Sequence, residues 1–207
     1  MTDHFGNPLL EQRKLFAGEA FVQRSDQGVV EILGPDTKSW LHSLLSQNIL
    51  NLETGMSTEA LLLTPQGHVE QQLKIIATDQ GVLVIVAASK LEAMLAWLTK
   101  MVFRSRVEVS KREVLVCIGG FFSFDAPCWV DGFSLESKFS VRYAESREEF
   151  AYREYLTDSV PTDLARAGLL AYQALRIAVG RPEIEDIDIR SLPHEFDWLS
   201  SAVHMSK

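Results

Sequence analysis

The sequence predicts an α+β fold, on three observations. Apolar runs of strand length cluster between residues 60 and 87, separated by turn residues and with no helix between them. Helical-period stripes stand apart, at 40–45, 91–102 and 164–178. Strands that follow one another directly, with helices set aside, build sheets with helices on a face rather than a doubly wound parallel sheet.

The elements follow in chain order. After a polar leader, "GVVEILG" (28–34) reads as a strand. Gly34-Pro35-Asp36 then sets up a helix with Asp36 as N-cap, and Trp40, Leu41, Leu44 and Leu45 give it one apolar stripe. The polar turn "NLETGMSTE" closes this unit. "ALLLT" (60–64) and "HVEQQLKIIAT" (68–78) flank Pro65-Gln66-Gly67, which has hairpin-turn chemistry. "GVLVIVA" (81–87) is a fully apolar strand. Ser89 and Glu92 form an S-x-x-E capping box ahead of Leu91, Met94, Leu95, Leu98, Met101 and Val102 at helical spacing. "RVEVSKREVLVCIGG" returns to strand. A hairpin, a third strand, a helix and a fourth strand predict a small sandwich with its helix on one sheet face, so residues 51–114 are read as a second unit. Residues 120–160 are aromatic, charged and weakly periodic, and predict short strands. A helix is expected over 162–179, capped by Thr162 or Asp163, lined by Leu164, Ala167, Ala171, Ala174 and Ala178, and closed by Gly180 and Pro182.

Composition narrows the function. A net charge of −8 offers no overall field for phosphate backbones or anionic membranes, so direct nucleic-acid and membrane binding are not expected. No apolar run reaches the length of a membrane span, and the start lacks the basic and apolar regions of a signal peptide. Cys117 and Cys128 belong to no C-x-x-C and read as inert thiols; the expected location is the cytoplasm. The histidines show no ligand spacing, and His194-Glu195 fails as a zincin motif because position 198 is Trp. The run "EIEDIDIR" (183–190) has no EF-hand pattern; its interleaved Ile184, Ile187 and Ile189 fit a segment clamped to the body with its charges in water. No phosphate-binding loop, dinucleotide fingerprint or nucleophile elbow occurs. One strand breaks its own pattern. Alternation in "HVEQQLKII" puts Gln71 among Val69, Leu73 and Ile75, with Glu70, Gln72 and Lys74 opposite. A buried amide without partners costs ~1–3 kcal/mol, so Gln71 either bonds a loop backbone or faces a cavity whose ligand uses it.

"WLHSLLSQNILNLETG", "LLLTPQGHVEQQL" and "ALRIAVGRPEIEDIDIRSLPHE" occur in the order found in YgfZ-type folate-binding proteins, relatives of the glycine-cleavage T protein (GcvT, aminomethyltransferase). The resemblance covers about residues 28–118 and 165–207. It implies an α+β cloverleaf around a cleft for tetrahydrofolate: a GcvT-like first lobe (1–50 plus 115–207) and a ferredoxin-like lobe (51–114). A C-terminal β-barrel would follow a K-G-C-Y-x-G-Q-E signature; Lys207 resembles its first residue, and the rest of the motif and the barrel are not in the sequence. Aminomethyl-transferring relatives resemble K-G-G-x-x-D-D where this chain reads Gln66-Gly67-His68-Val69-Glu70-Gln71-Gln72, and an L-x-x-E-x-G acid is replaced by Ala178. A carboxamide cannot take a proton as a carboxylate does, which puts aminomethyl transfer in doubt.

The resemblance therefore implies a tetrahydrofolate-binding accessory protein, supporting iron–sulfur protein maturation or repair and, indirectly, tRNA modification. Its partners would be folate and iron–sulfur proteins or their assembly factors. The alternative is a folate-dependent aminomethyltransferase. The folate-binding residues it points to are Gln71 and Gln72 on the hairpin strand, Arg176 for a folate carboxylate and Glu195 for the pterin amine. Trp198, Leu199, Val203 and Met205 are expected to pack on the chain's own body or on a second copy, as a homodimer through this region.

Overall fold

The structure, a computed structural model, describes residues 2–113, 115–132 and 150–206. The leader that reads as merely polar carries a helix. Asn7 Oδ1 accepts from the Leu9 and Leu10 N–H groups, and Pro8 at the first position needs no partner, so α1 (Pro8–Phe16) starts there. Strand β1 (Ala20–Gln23) follows, then β2 (Gln27–Leu33) and α2 (Thr37–Leu44). Asp36 occupies the N-cap position of α2 but makes no capping bond. Its carboxylate accepts from the Arg106 guanidinium at 2.8 Å and from the Arg106 backbone N–H at 2.8 Å.

The hairpin reading holds. β3 (Ser57–Leu63) and β4 (Val69–Ala77) are joined by a turn in which Thr64 N–H donates to His68 O and Gly67 takes φ +87°, the left-handed region that favours glycine. β5 (Gly81–Ala87) is buried along its whole length. The S-x-x-E box does not form: Ser89 lies in a 3-10 turn, α3 (Leu91–Met101) begins after it, and Lys90 stands at the N-cap. β6 (Glu108–Lys111), β7 (Val116–Gly120), β8 (Cys128–Val130), β9 (Arg153–Thr157) and β10 (Ala165–Ala167) complete the strands. The short strands expected over 120–160 include β8 and β9; residues 133–149 lie outside the described residues. The last helix, α4 (Leu169–Ala178), starts later than the sequence predicts. Residues 165–167 pair in parallel with β1, and backbone bonds to a sheet edge displace the first helical turn.

The α+β class is as expected, in two five-stranded sheets ordered β10-β1-β7-β9-β8 and β3-β4-β5-β2-β6. In the second, the antiparallel run β4-β5-β2-β6 with α2 and α3 on one face is a ferredoxin-like arrangement, to which β3 adds an edge. Its first strand and helix are residues 27–44, outside the 51–114 span read from the sequence. β2 pairs β5 and β6, where Val30 and Ile32 on one face and Val29 on the other are buried, a non-local choice that its own pattern does not reveal. Val30, Ile32, Leu73 and Val84 face the two helices with Trp40, Leu41 and Met94. Val29, Ile76 and Ile85 face the other sheet, where Cys117, Trp129 and Leu156 meet them.

The C-terminal segment packs on this body. Trp198 and Ala202 are fully buried against Leu61, Val69, Ala87 and Ile184, while Met205 is exposed. Lys207 lies outside the described residues. No helix among the described residues is long and apolar enough to cross a membrane.

Candidate functional site

A bulge in the hairpin sets up the site. Gln71 pairs with Leu62 and Val69 with Leu63, so the register shifts by one residue and Glu70 is extra. Val69 therefore leaves the face of Gln71 and joins the cluster around Trp198, while Leu73 and Ile75 stay on the α2–α3 side. Beside the bulge lies a groove of about 460 Å³ between the hairpin, α3 and the 184–189 arm. Leu62, Met94, Trp97, Ile184 and Ile187 give it apolar walls, and Gln71, Lys90 and Asp188 are among its polar groups. Size and lining are those of a small-molecule site.

The arm is held by buried charge. Gly180 at φ +69° ends α4 and turns the chain back. Arg181, 2% exposed, donates from Nη2 to Glu59 Oε1 at 2.8 Å and from Nε to Asp131 Oδ2 at 2.9 Å. Glu183 accepts from Arg24 Nη2 at 2.7 Å and from the Tyr172 hydroxyl at 2.9 Å. Glu154 is shared by Arg24 at 2.6 Å and Lys74 at 2.7 Å. Burial pushes the Glu183 carboxyl up, but the charges of Arg24, Lys74 and Arg176 outweigh it and hold it far below the usual range. Glu59 is likewise lowered: Arg181 and bonds from Gln72, Arg181 and Ser201 overcome its burial. At its far end the arm rejoins the sheet where Val69 N–H donates to Ser191 O at 2.9 Å.

Of the four residues singled out from the sequence, Gln71 lines the groove, half-buried. Gln72 turns to the opposite side of the strand and is 6% exposed. Its Nε2 donates to Glu59 Oε1 at 2.6 Å and its Oε1 accepts from Ile184 N–H at 3.1 Å, so both ends of the amide hold the arm. Arg176 is buried on α4 and donates to Asp186 Oδ2 at 2.6 Å, Gln173 Oε1 at 2.6 Å and Arg181 O at 3.1 Å. Glu195 accepts from Leu192 N–H at 2.7 Å, capping a 3-10 turn. These three do not meet Gln71 in the groove. Three groove residues were missed: Trp97, Lys90 and Asp188. Trp97 lies three positions beyond Met94, a helical spacing that could have flagged it, whereas nothing local places Asp188 beside the hairpin.

No family model matches the chain. It is 32% identical over 101 residues to an aminomethyltransferase of Chromobacterium violaceum, covering 47% of this chain and 27% of that protein. It is 26% identical over 120 residues to an aminomethyltransferase of Nitrosococcus oceani, covering 57% of this chain and 32% of that protein. The chain thus spans about a third or less of the length of these curated relatives. In three dimensions it is similar to glycine cleavage system aminomethyltransferase T from Bartonella henselae, with a TM-score of 0.69 at 15% identity over 90% of this chain and 58% of that one. The chain therefore shares its fold with aminomethyltransferase T over 58% of that protein, and it is similar in sequence to the two aminomethyltransferases over about half its own length.

Proposed function

We propose that the chain binds a reduced folate in the groove beside the β3–β4 hairpin and acts as a folate-dependent protein of the aminomethyltransferase (GcvT) superfamily. The observation that carries this is the groove itself: apolar walls with polar groups among them, of ligand size, and opening at the hairpin on a fold shared with aminomethyltransferase T. The sequence similarity to two aminomethyltransferases supports the transferase branch of this reading. So does the charge of the lining. The hairpin strand has amides at 71 and 72, yet Glu70 and Asp188 bring carboxylates to the same groove, so the site does not lack a proton acceptor.

A second reading is an accessory folate-binding role in the upkeep of iron–sulfur proteins, and through them tRNA modification. It is favoured by Gln72, whose amide is committed to Glu59 and Ile184 and is not offered to a ligand. One experiment orders the two. Titration with 5-formyltetrahydrofolate measures binding, and an assay with an aminomethyl-lipoyl donor and tetrahydrofolate measures transfer. Binding with turnover is the expected result. Binding without turnover selects the accessory role, and no heat at millimolar folate removes both.

A further inference from the structure

We infer that the groove takes a flat heteroaromatic ring bearing an anionic tail, with Asp188 pairing the ring's N–H edge, Trp97 lying against the ring and Lys90 holding the tail. This rests on the folate reading and assigns its contacts to residues that the sequence did not single out. Two groups expected to do this work are already committed. Glu195 is closed on the Leu192 N–H at 2.7 Å, and Arg176 is spent on Asp186 at 2.6 Å. Neither lines the groove.

Asp188 does line it, and its carboxylate is fixed. Oδ1 accepts from Arg190 N–H at 2.7 Å and from Ser191 Oγ at 3.3 Å. A carboxylate offers about four acceptor sites, two on each oxygen, so with Oδ1 holding those two donors Oδ2 remains for a ligand. An amino group beside a ring N–H presents two donors, and Oδ2 has a site for each in a charge-assisted bond. Gln71 adds an amide that can both donate and accept. Trp97, half-buried on α3, supplies a broad apolar surface next to Met94. Lys90 is exposed, and among the described residues no carboxylate pairs with it. Glu70 is the other carboxylate of the lining, so two acids stand against one lysine. That balance favours a donor-rich ring and leaves Lys90 for the anionic tail.

The test is calorimetric titration of the full chain with three ligands: 5-formyltetrahydrofolate, a pterin without the tail, and 4-aminobenzoylglutamate without the ring. Asp188→Asn keeps Oδ1 for the turn and removes the charge. It should weaken the intact folate and the pterin about tenfold and leave the tail fragment unchanged. Lys90→Gln should weaken the intact folate and the tail fragment about threefold and spare the pterin. Glu70→Gln, which also removes one negative charge, should not weaken the pterin. A loss on all three ligands alike, an equal loss in the Glu70 variant, or no loss at all overturns the assignment. Failure of the unaltered chain to bind any ligand sinks the folate reading itself, whereas binding that ignores Asp188 and Lys90 sinks only this inference.

Discussion

Arg181→Met should cost a large share of the stability of this fold. Arg181 is 2% exposed and is the cation between Glu59 and Asp131, at 2.8 and 2.9 Å, each of whose side chains is 1% exposed. Methionine fills much of the same space, so the change leaves little cavity but strands two buried carboxylates without that cation. Removing one partner of a buried pair costs about 3–5 kcal/mol, a large share of the ~5–15 kcal/mol that holds a typical domain. For a chain of this size that is a fall in Tm of roughly 6–20 °C. The same change frees the start of the 184–189 arm, so the groove loses its wall and folate affinity should fall with stability. Urea melts followed by circular dichroism give the first quantity and calorimetry the second. Neutralising both acceptors in the same chain (Glu59→Gln, Asp131→Asn) should recover much of the loss, because no stranded charge remains. A single Arg181→Met variant within about 1 kcal/mol of the parent would refute the reasoning, since it would mean that these charges are not desolvated.

Other outcomes follow from the same geometry. Glu59 and Glu183 have folded-state carboxyls below their unfolded value of ~4.3, so the unfolded chain takes up protons first. Their stabilisation should be complete above about pH 5 and be lost as pH falls through 4 and below, and urea midpoints that do not drop between pH 6 and pH 4 would contradict it. Gln71→Leu should weaken folate binding with the fold intact; normal binding with a raised Tm would identify Gln71 as a structural amide. Trp198→Ala should destabilise by about 3–5 kcal/mol, because its fully buried ring packs on Leu61, Val69 and Ile184. A thermal melt superimposable on the parent's would show that the segment is not part of the core.

The sequence by itself determined what local chemistry can determine. The alternation and turn residues of 60–87 specify three strands with a hairpin, the stripe from Leu91 to Met101 specifies α3, and Gly180 specifies the end of α4. It also marked Gln71 as a polar residue in an apolar setting, and that residue lines the groove. Tertiary structure decided the rest, because it depends on pairings that no window of sequence contains. The bulge at Glu70 moves Val69 off the face it shares with Gln71 in simple alternation, and shifts the register of the hairpin. β2 belongs to the ferredoxin-like sheet because its partners, β5 and β6, lie some fifty to eighty positions away. Asp36 and Ser89 look like helix caps until Arg106 and a 3-10 turn claim them. "EIEDIDIR" reads as a clamped acidic segment, but that Glu183 is its buried charge is set by Arg24, Lys74 and Arg176. With Glu183 and Asp186 paired in that way, Asp188 is left at the groove: the acid that joins Glu70 there comes from more than a hundred residues downstream.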